Sequence, residues 1–282
     1  MKHKISFNAI VLVTVMAAFG AFQCHVMAHK TVKNGFYPHS LADFSTTGRS
    51  FGAGVMPYYE DEKGEKYVLI GREVNSGRKR EWAFFSGGSE LNSSDKSRME
   101  HPLDCAAREF YEEAALHATL GWDEATTKNY IAQHATEVIA QYSRDLRSRP
   151  AIIYMVKFEK DQIEKIVDRY KYIFTEHTVD DRFKEKDALA VVKYQDLIDA
   201  VKQNKQRVAL DKNLPSWFNS DKEDTILMFY MPYYLLRARY APDDIFRVSG
   251  RAYHYVQDAC MCGQNHQFLA QEPVKKSFRS KL

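Results

Sequence analysis

Apolar positions along the chain fall into short blocks, and the spacing within each block sets the element it predicts. Residues 50–59, 67–72 and 82–85 are apolar runs rich in β-branched and aromatic residues, and they predict strands. A polar turn over 60–66 and a basic turn over 75–80 separate them. From Pro102 the spacing changes. At ~100° per residue, Leu103, Ala107, Phe110 and Ala114 share one helical face, and Glu109, Glu112 and Glu113 fall on nearly the opposite one. Pro102 suits the first helical turn, and Asp104 sits well near the positive end of the helix. Residues 126–135 and 161–172 predict further helices. Residues 137–142 and 151–158 predict strands, with Arg144, Arg147 and Arg149 between them. A short buried strand over 188–192 then leads into a helix from 194 to 201. Strands alternating with helices in this order place the chain in the α/β class.

Both ends of the chain differ from this middle. Lys2 and Lys4 precede an almost wholly apolar run over 5–22, and Val26-Met27-Ala28 offers the small residues that a signal peptidase reads. This pattern predicts a signal peptide over 1–28 and export to the periplasm or the outside. The same run is just long enough to span a bilayer, so an uncleaved N-terminal membrane anchor is the alternative. The terminal Ser280-Lys281-Leu282 matches a peroxisomal address and conflicts with both. Residues 29–47 form a mixed leading segment. The core domain is expected over 48–210, followed over 211–282 by a helical extension, centred on 224–240, and a basic tail.

Composition narrows the picture little. The 282 residues are 45% hydrophobic and 27% charged, as in an ordinary globular protein. Forty Lys and Arg against 37 Asp and Glu leave a net charge of +3, which is no footprint of nucleic-acid binding. The four cysteines, Cys24, Cys105, Cys260 and Cys262, form no disulfide framework. Cys260-Met261-Cys262 with His254 and His266 is a weak match to any zinc pattern.

The acidic helix carries the chemistry. Three carboxylates within one turn repel each other and best tolerate that repulsion around a hard divalent cation, although a charge run is commonly no more than a solvated face. Here Gly87-Gly88 follows the apolar run Trp82-Ala83-Phe84-Phe85. Glu100 comes next, then seven residues, then Arg108-Glu109-Phe110-Tyr111-Glu112-Glu113-Ala114-Ala115-Leu116. This stretch resembles the signature box of the Nudix hydrolase superfamily. It departs from that box twice. Eleven residues, not five, separate Gly88 from Glu100, and Ala115 stands where the family usually has Gly.

The resemblance implies an α/β/α sandwich with a mixed sheet. It also implies a hydrolase that cleaves a diphosphate bond in a nucleoside diphosphate derivative by attack of water on phosphorus. The cofactor implied is Mg²⁺, with Mn²⁺ possible. Glu109, Glu112 and Glu113, with the Gly88 carbonyl, are the implied metal ligands. Glu109 and Glu112 are the catalytic acids, and Arg108 with Glu100 orients them. Glu185 and Asp187, just before the strand at 188–192, are the best placed additional acids. The partner implied is a nucleotide-type small molecule, with no nucleic acid. A membrane enters only if the N-terminal segment is uncleaved, and the oligomeric state is not legible. The alternative is a Nudix-fold module that binds a nucleotide or a protein without turnover.

Overall fold

A computed structural model of the chain describes residues 41–46, 50–74, 81–143, 150–203, 205, 207–218, 225–227, 250–255 and 268–269. The leader expected over 1–28, the basic turn over 75–80, the arginines at 144, 147 and 149, the Cys260–Cys262 pair and the C-terminal tail lie outside the described residues. Contacts divide the chain at Pro38/His39, and every described residue belongs to the second unit.

Among the described residues the main sheet has ten strands. Its centre is β1 (Gly52–Glu60), which runs antiparallel to β2 (Lys66–Glu73) and parallel to β6 (Ala151–Lys157). Beyond β2 lies β7 (Lys186–Lys193), and beyond β6 lies β5 (Ala135–Ser143), both antiparallel. β1 is buried at every position but the last, as expected of a central strand covered on both faces.

One helical layer contains α2 (Pro102–Glu113), the short α3 (Leu116–Thr119), α4 (Glu124–His134) and α5 (Lys160–Thr175). Phe110 of α2 packs edge-on against Phe85 and Phe158, with ring centroids 5.2 and 5.8 Å away. The other layer is α6 (Tyr194–Lys202), whose Leu197, Ile198 and Val201 pack with Met56, Val68, Ile70 and Trp82. A further short helix, α1 (Ala42–Thr46), precedes β1. The fold is therefore α/β, with a mixed sheet between helical layers, as the sequence predicts.

The sheet splits where the site forms. β1 and β2 pair directly only over Tyr58–Glu60 and Lys66–Val68. Beyond that point β3 (Trp82–Ala83) takes the edge of β2, and β4 (Phe85–Gly88) takes the edge of β1, pairing Gly52 with Gly88. The single apolar run over 82–85 thus serves two ladders, changing partner at Phe84.

The long span between Gly88 and Glu100 folds outward as a small closed hairpin. A bridge pairs Leu91 with Met99, and Asn92 N–H donates to the Arg98 carbonyl at 2.9 Å. Glu100 N–H reaches the Glu90 carbonyl at 2.9 Å, and Ser89 N–H reaches the Phe51 carbonyl at 2.8 Å. The inserted residues satisfy their own backbone groups, and the chain on either side stays in place.

The chain beyond 210 differs from expectation. Its described parts are strands. β9 (Ser216–Phe218) lies on β7, β11 (Gly250–Tyr255) on β5, and β12 (Phe268–Leu269) on β11. Where a helix is predicted over 224–240, the described part is β10 (Thr225–Leu227), which forms a ladder with β8 (Arg207–Ala209). Thr225 and Ile226 are β-branched, and the free edge of β8 offers them backbone partners. Residues 228–249 lie outside the described residues. Among those described, no helix is long and apolar enough to cross a membrane.

Candidate functional site

α2 starts where its sequence says it should. Pro102 occupies the first turn, and His101 caps it by accepting the Leu103 N–H on Nδ1 at 3.2 Å. Asp104 pairs with Lys128 of α4. The helix ends at Ala114, and Ala115 follows in the left-handed region at φ 47°, ψ 50°. A Cβ there costs on the order of 1–2 kcal/mol, which is why glycine is the usual residue at such an end.

The acidic face of α2 is turned to the split in the sheet, not to open solvent. Glu109 is 8% exposed and Glu113 only 2%. Glu109 lies directly against the backbone of β4. A Cβ added to Gly87 would fall inside its carboxylate, so a larger residue there would push the carboxylate aside. Arg108 Nη1 donates to Glu109 Oε1 at 2.7 Å. Burial, with the charges of Glu112 and Glu185, pushes the Glu109 carboxyl up to about 7 against the pull of Arg108. Glu112, half-buried, has Arg108 at 3.7 Å on one oxygen and Arg182 at 3.8 Å on the other. Burial raises its carboxyl as well, with the two arginines opposing.

Arg108 ties the site to the inserted hairpin. Its Nη2 donates to the Gly88 carbonyl at 2.8 Å and to Glu100 Oε1 at 2.9 Å. Burial works against its charge, and Glu100 and Glu109 more than restore it. The Gly88 carbonyl and Glu100 therefore both face the helix, despite the longer span between them. Cys105, buried one turn earlier, approaches the Gly87 carbonyl at 3.9 Å, and burial raises its thiol far above the ordinary range. It acts as a small apolar side chain.

Glu113 is engaged differently. Its Oε2 accepts the Ser86 N–H at 2.6 Å, and its Oε1 meets Lys186 Nζ at 2.7 Å. Lys186 is fully buried and also pairs with Glu73. Burial works against its ammonium, but the charges of Glu113 and Glu73 outweigh it and hold its pKa above the ordinary value.

The structure separates the two additional acids. Glu185 is exposed, and its charge acts on both Glu109 and Glu112, so it belongs to the same acidic field. Asp187 bonds Arg72 Nε at 2.6 Å, and Arg72 lies over Trp82, in the core beneath α6. A bulge in the β2/β7 ladder at Arg72/Glu73 breaks the alternation of β7, so that Lys186 reaches the α2 face while Asp187 joins Ala188 on the α6 face. Tyr58 and Trp82, 1% exposed each, are core side chains as well.

Sequence reasoning did not find Lys186, Glu73 or Arg182. Lys186 reads as part of a charged turn, and only the register of β7 against β2 reveals its burial. The signal for Gly87 was present in the glycine pair, although its reason, the approach of Glu109, is tertiary.

Glu109 and Glu112 fit a Mg²⁺ ion. They supply hard oxygen donors, and burial holds both carboxyls above their ordinary values, so a bound cation would favour their charged forms. Mg²⁺ is commonly held by one or two carboxylates, with waters and substrate phosphates completing its shell. Among the described residues, no group of three or more acidic, histidine or cysteine side chains converges as a ready-made metal cage.

No protein-family model matches the chain, and no curated protein matches it significantly. Three solved structures share features with it. A C. elegans Ap4A hydrolase binary complex is 15% identical over 38% of this chain, which spans 64% of that protein, with a TM-score of 0.24. RenU, a Nudix hydrolase from M. smegmatis, is 15% identical, with 70% of this chain and 88% of that one covered and a TM-score of 0.32. A MutT/nudix family protein from Enterococcus faecalis is 10% identical, with 77% and 69% covered and a TM-score of 0.34. At these scores the likenesses carry no functional argument, which rests on the geometry.

Proposed function

We propose that the chain is a Nudix-type pyrophosphohydrolase. In this reading it cleaves a diphosphate bond in a nucleoside diphosphate derivative and depends on Mg²⁺ or Mn²⁺. The observation that carries this reading is the Glu109 carboxylate, buried against Gly87 with Glu112 beside it and Arg108 bridging to Glu100 and the Gly88 carbonyl. Two desolvated carboxylates in such a frame are poised for a cation and for proton transfer.

Glu109 and Glu112 would hold the divalent ion, which when bound would neutralise phosphate oxygens and acidify a water. In this reading Glu109 also takes the proton of the attacking water, as the resemblance of its box implies. As the water oxygen bonds to phosphorus, the bridging P–O bond breaks and the second phosphate leaves. Arg182 stands half-exposed at 3.8 Å from Glu112, where its fork is placed to meet phosphate oxygens. Arg108 keeps the Glu109 oxygens oriented and does not meet the substrate.

A second reading, nucleotide binding without turnover, is favoured by one observation. Glu113 is already engaged by Lys186, so the site has one carboxylate fewer than the box implies. A screen of the full-length protein against ADP-ribose, dinucleoside polyphosphates, NADH, coenzyme A, nucleoside triphosphates and nucleotide sugars decides between them. Metal-dependent release of a phosphate product, lost in Glu112→Gln, supports the hydrolase. Binding of a nucleotide without any product supports the second reading. We also propose export through residues 1–28, tested by the N-terminal sequence of the protein recovered from its host. A start at Met1 would refute cleavage.

A further inference from the structure

We propose that Lys186 is a resident cation that holds Glu113 out of the metal site, so that Glu109 and Glu112 alone give carboxylates to a single divalent ion. This rests on the metal-site reading above and revises the share that each acid has in it.

The lysine is built into the fold. Its side chain is fully buried and lies between two carboxylates, Glu113 of α2 and Glu73 at the end of β2. Room for its stem comes from Gly71. A Cβ there would meet Lys186 Cγ at 2.9 Å and Cδ at 3.0 Å. Its backbone is pinned by the buried Tyr170 hydroxyl, which donates to the Lys186 carbonyl at 3.1 Å. The Ser86 N–H and the ammonium together occupy both oxygens of Glu113.

A divalent ion on Glu113 Oε1, at the usual ~2.1 Å, would lie roughly 4–5 Å from the ammonium in a desolvated setting, where like charges repel strongly. Displacing the ammonium instead would leave it buried with Glu73 alone, and a buried charge stripped of a partner is costly. Glu109 meets a cation on one oxygen only: Arg108 Nη1 lies 2.7 Å from its Oε1, with a charge shared with Glu100 and the Gly88 carbonyl, and among the described residues its Oε2 has no partner. Glu113 and Lys186 thus tie the end of α2 to β4 and β7 and take no part in holding the ion.

Mn²⁺ binding followed by electron paramagnetic resonance tests this without any substrate. Full-length wild type, Glu112→Gln, Glu113→Gln, Lys186→Met and the double variant Glu113→Gln/Lys186→Met are titrated, each checked for its fold by circular dichroism. The wild type is expected to bind one Mn²⁺ per chain. Glu112→Gln should weaken it at least ~10-fold, the scale seen when groups at a metal centre are removed. Glu113→Gln should change it less than ~3-fold, well short of that scale. Lys186→Met, by releasing Glu113, should tighten binding or admit a second ion, and the double variant should return to wild-type affinity. If Lys186→Met does not fold, Glu113→Gln alone decides. Equal losses in Glu113→Gln and Glu112→Gln overturn the role given to Lys186 and leave the metal site standing. A wild type that binds no Mn²⁺ overturns both.

Discussion

Glu109 should make the metal-free protein less stable, and removing its charge should make it more stable. Burial raises its carboxyl from an ordinary value of 4.5 to about 7. The direction follows from linkage. Between those two values the unfolded chain gives up the proton while the folded chain keeps it, so folding stability falls as pH rises through that window. A shift of about 2.5 units at ~1.36 kcal/mol per unit sets a ceiling of about 3 kcal/mol lost by pH 8. Glutamine has nearly the same shape and no proton to lose. Glu109→Gln is therefore expected to match wild type at pH 4.5 and to exceed it at pH 8 by up to about 3 kcal/mol. The pull of Arg108 on the charged form is already contained in that net shift. Urea unfolding in EDTA at the two pH values measures the difference. Added Mg²⁺ at pH 8 should then stabilise wild type and leave the variant unchanged, because only the folded wild type binds the ion well. A variant less stable than wild type at pH 8, or a difference that does not vary with pH, would refute the reasoning.

Other outcomes follow from single contacts. Gly87→Ala should fold yet bind Mn²⁺ at least ~10-fold more weakly, because its Cβ displaces the Glu109 carboxylate; unchanged affinity would mean Glu109 is not a ligand. Asp187→Asn should cost ~3–5 kcal/mol in urea unfolding by stripping Arg72 of a buried partner, yet leave Mn²⁺ affinity unaltered. A changed affinity would place Asp187 in the site after all. Ala114→Gly should cost about 1 kcal/mol, whereas Ala115→Gly, which relieves the left-handed residue, should be neutral or stabilising. Thermal melts of the two buried-alanine variants, side by side, measure the contrast.

The sequence by itself determined most elements and half of the site. Two-residue alternation and 3.6-residue spacing are local properties, and they put β1, β2, β6, β7, α2, α5 and α6 within a few residues of where they lie. Local chemistry also fixed the start of α2 at Pro102. The family resemblance implied the contact of Arg108 with Glu100, which the structure shows at 2.9 Å. What tertiary structure alone decided depends on pairs far apart in the chain. Whether Asp187 or Lys186 faces the acids turns on the bulge between Arg72 and Glu73 in the β2/β7 ladder, since one extra residue exchanges the faces of what lies beyond it. Glu113 meets Lys186, and Gly71 makes room for it, only because β2 and β7 pair where they do. The hairpin over the inserted residues closes on its own backbone, which no motif spacing reveals. Within 224–240, where a helix is expected, the described residues 225–227 form a strand because the edge of β8 offers them backbone partners. Local periodicity thus fixed which faces are apolar and which acidic. The packing of distant strands fixed which acid is held by a buried lysine.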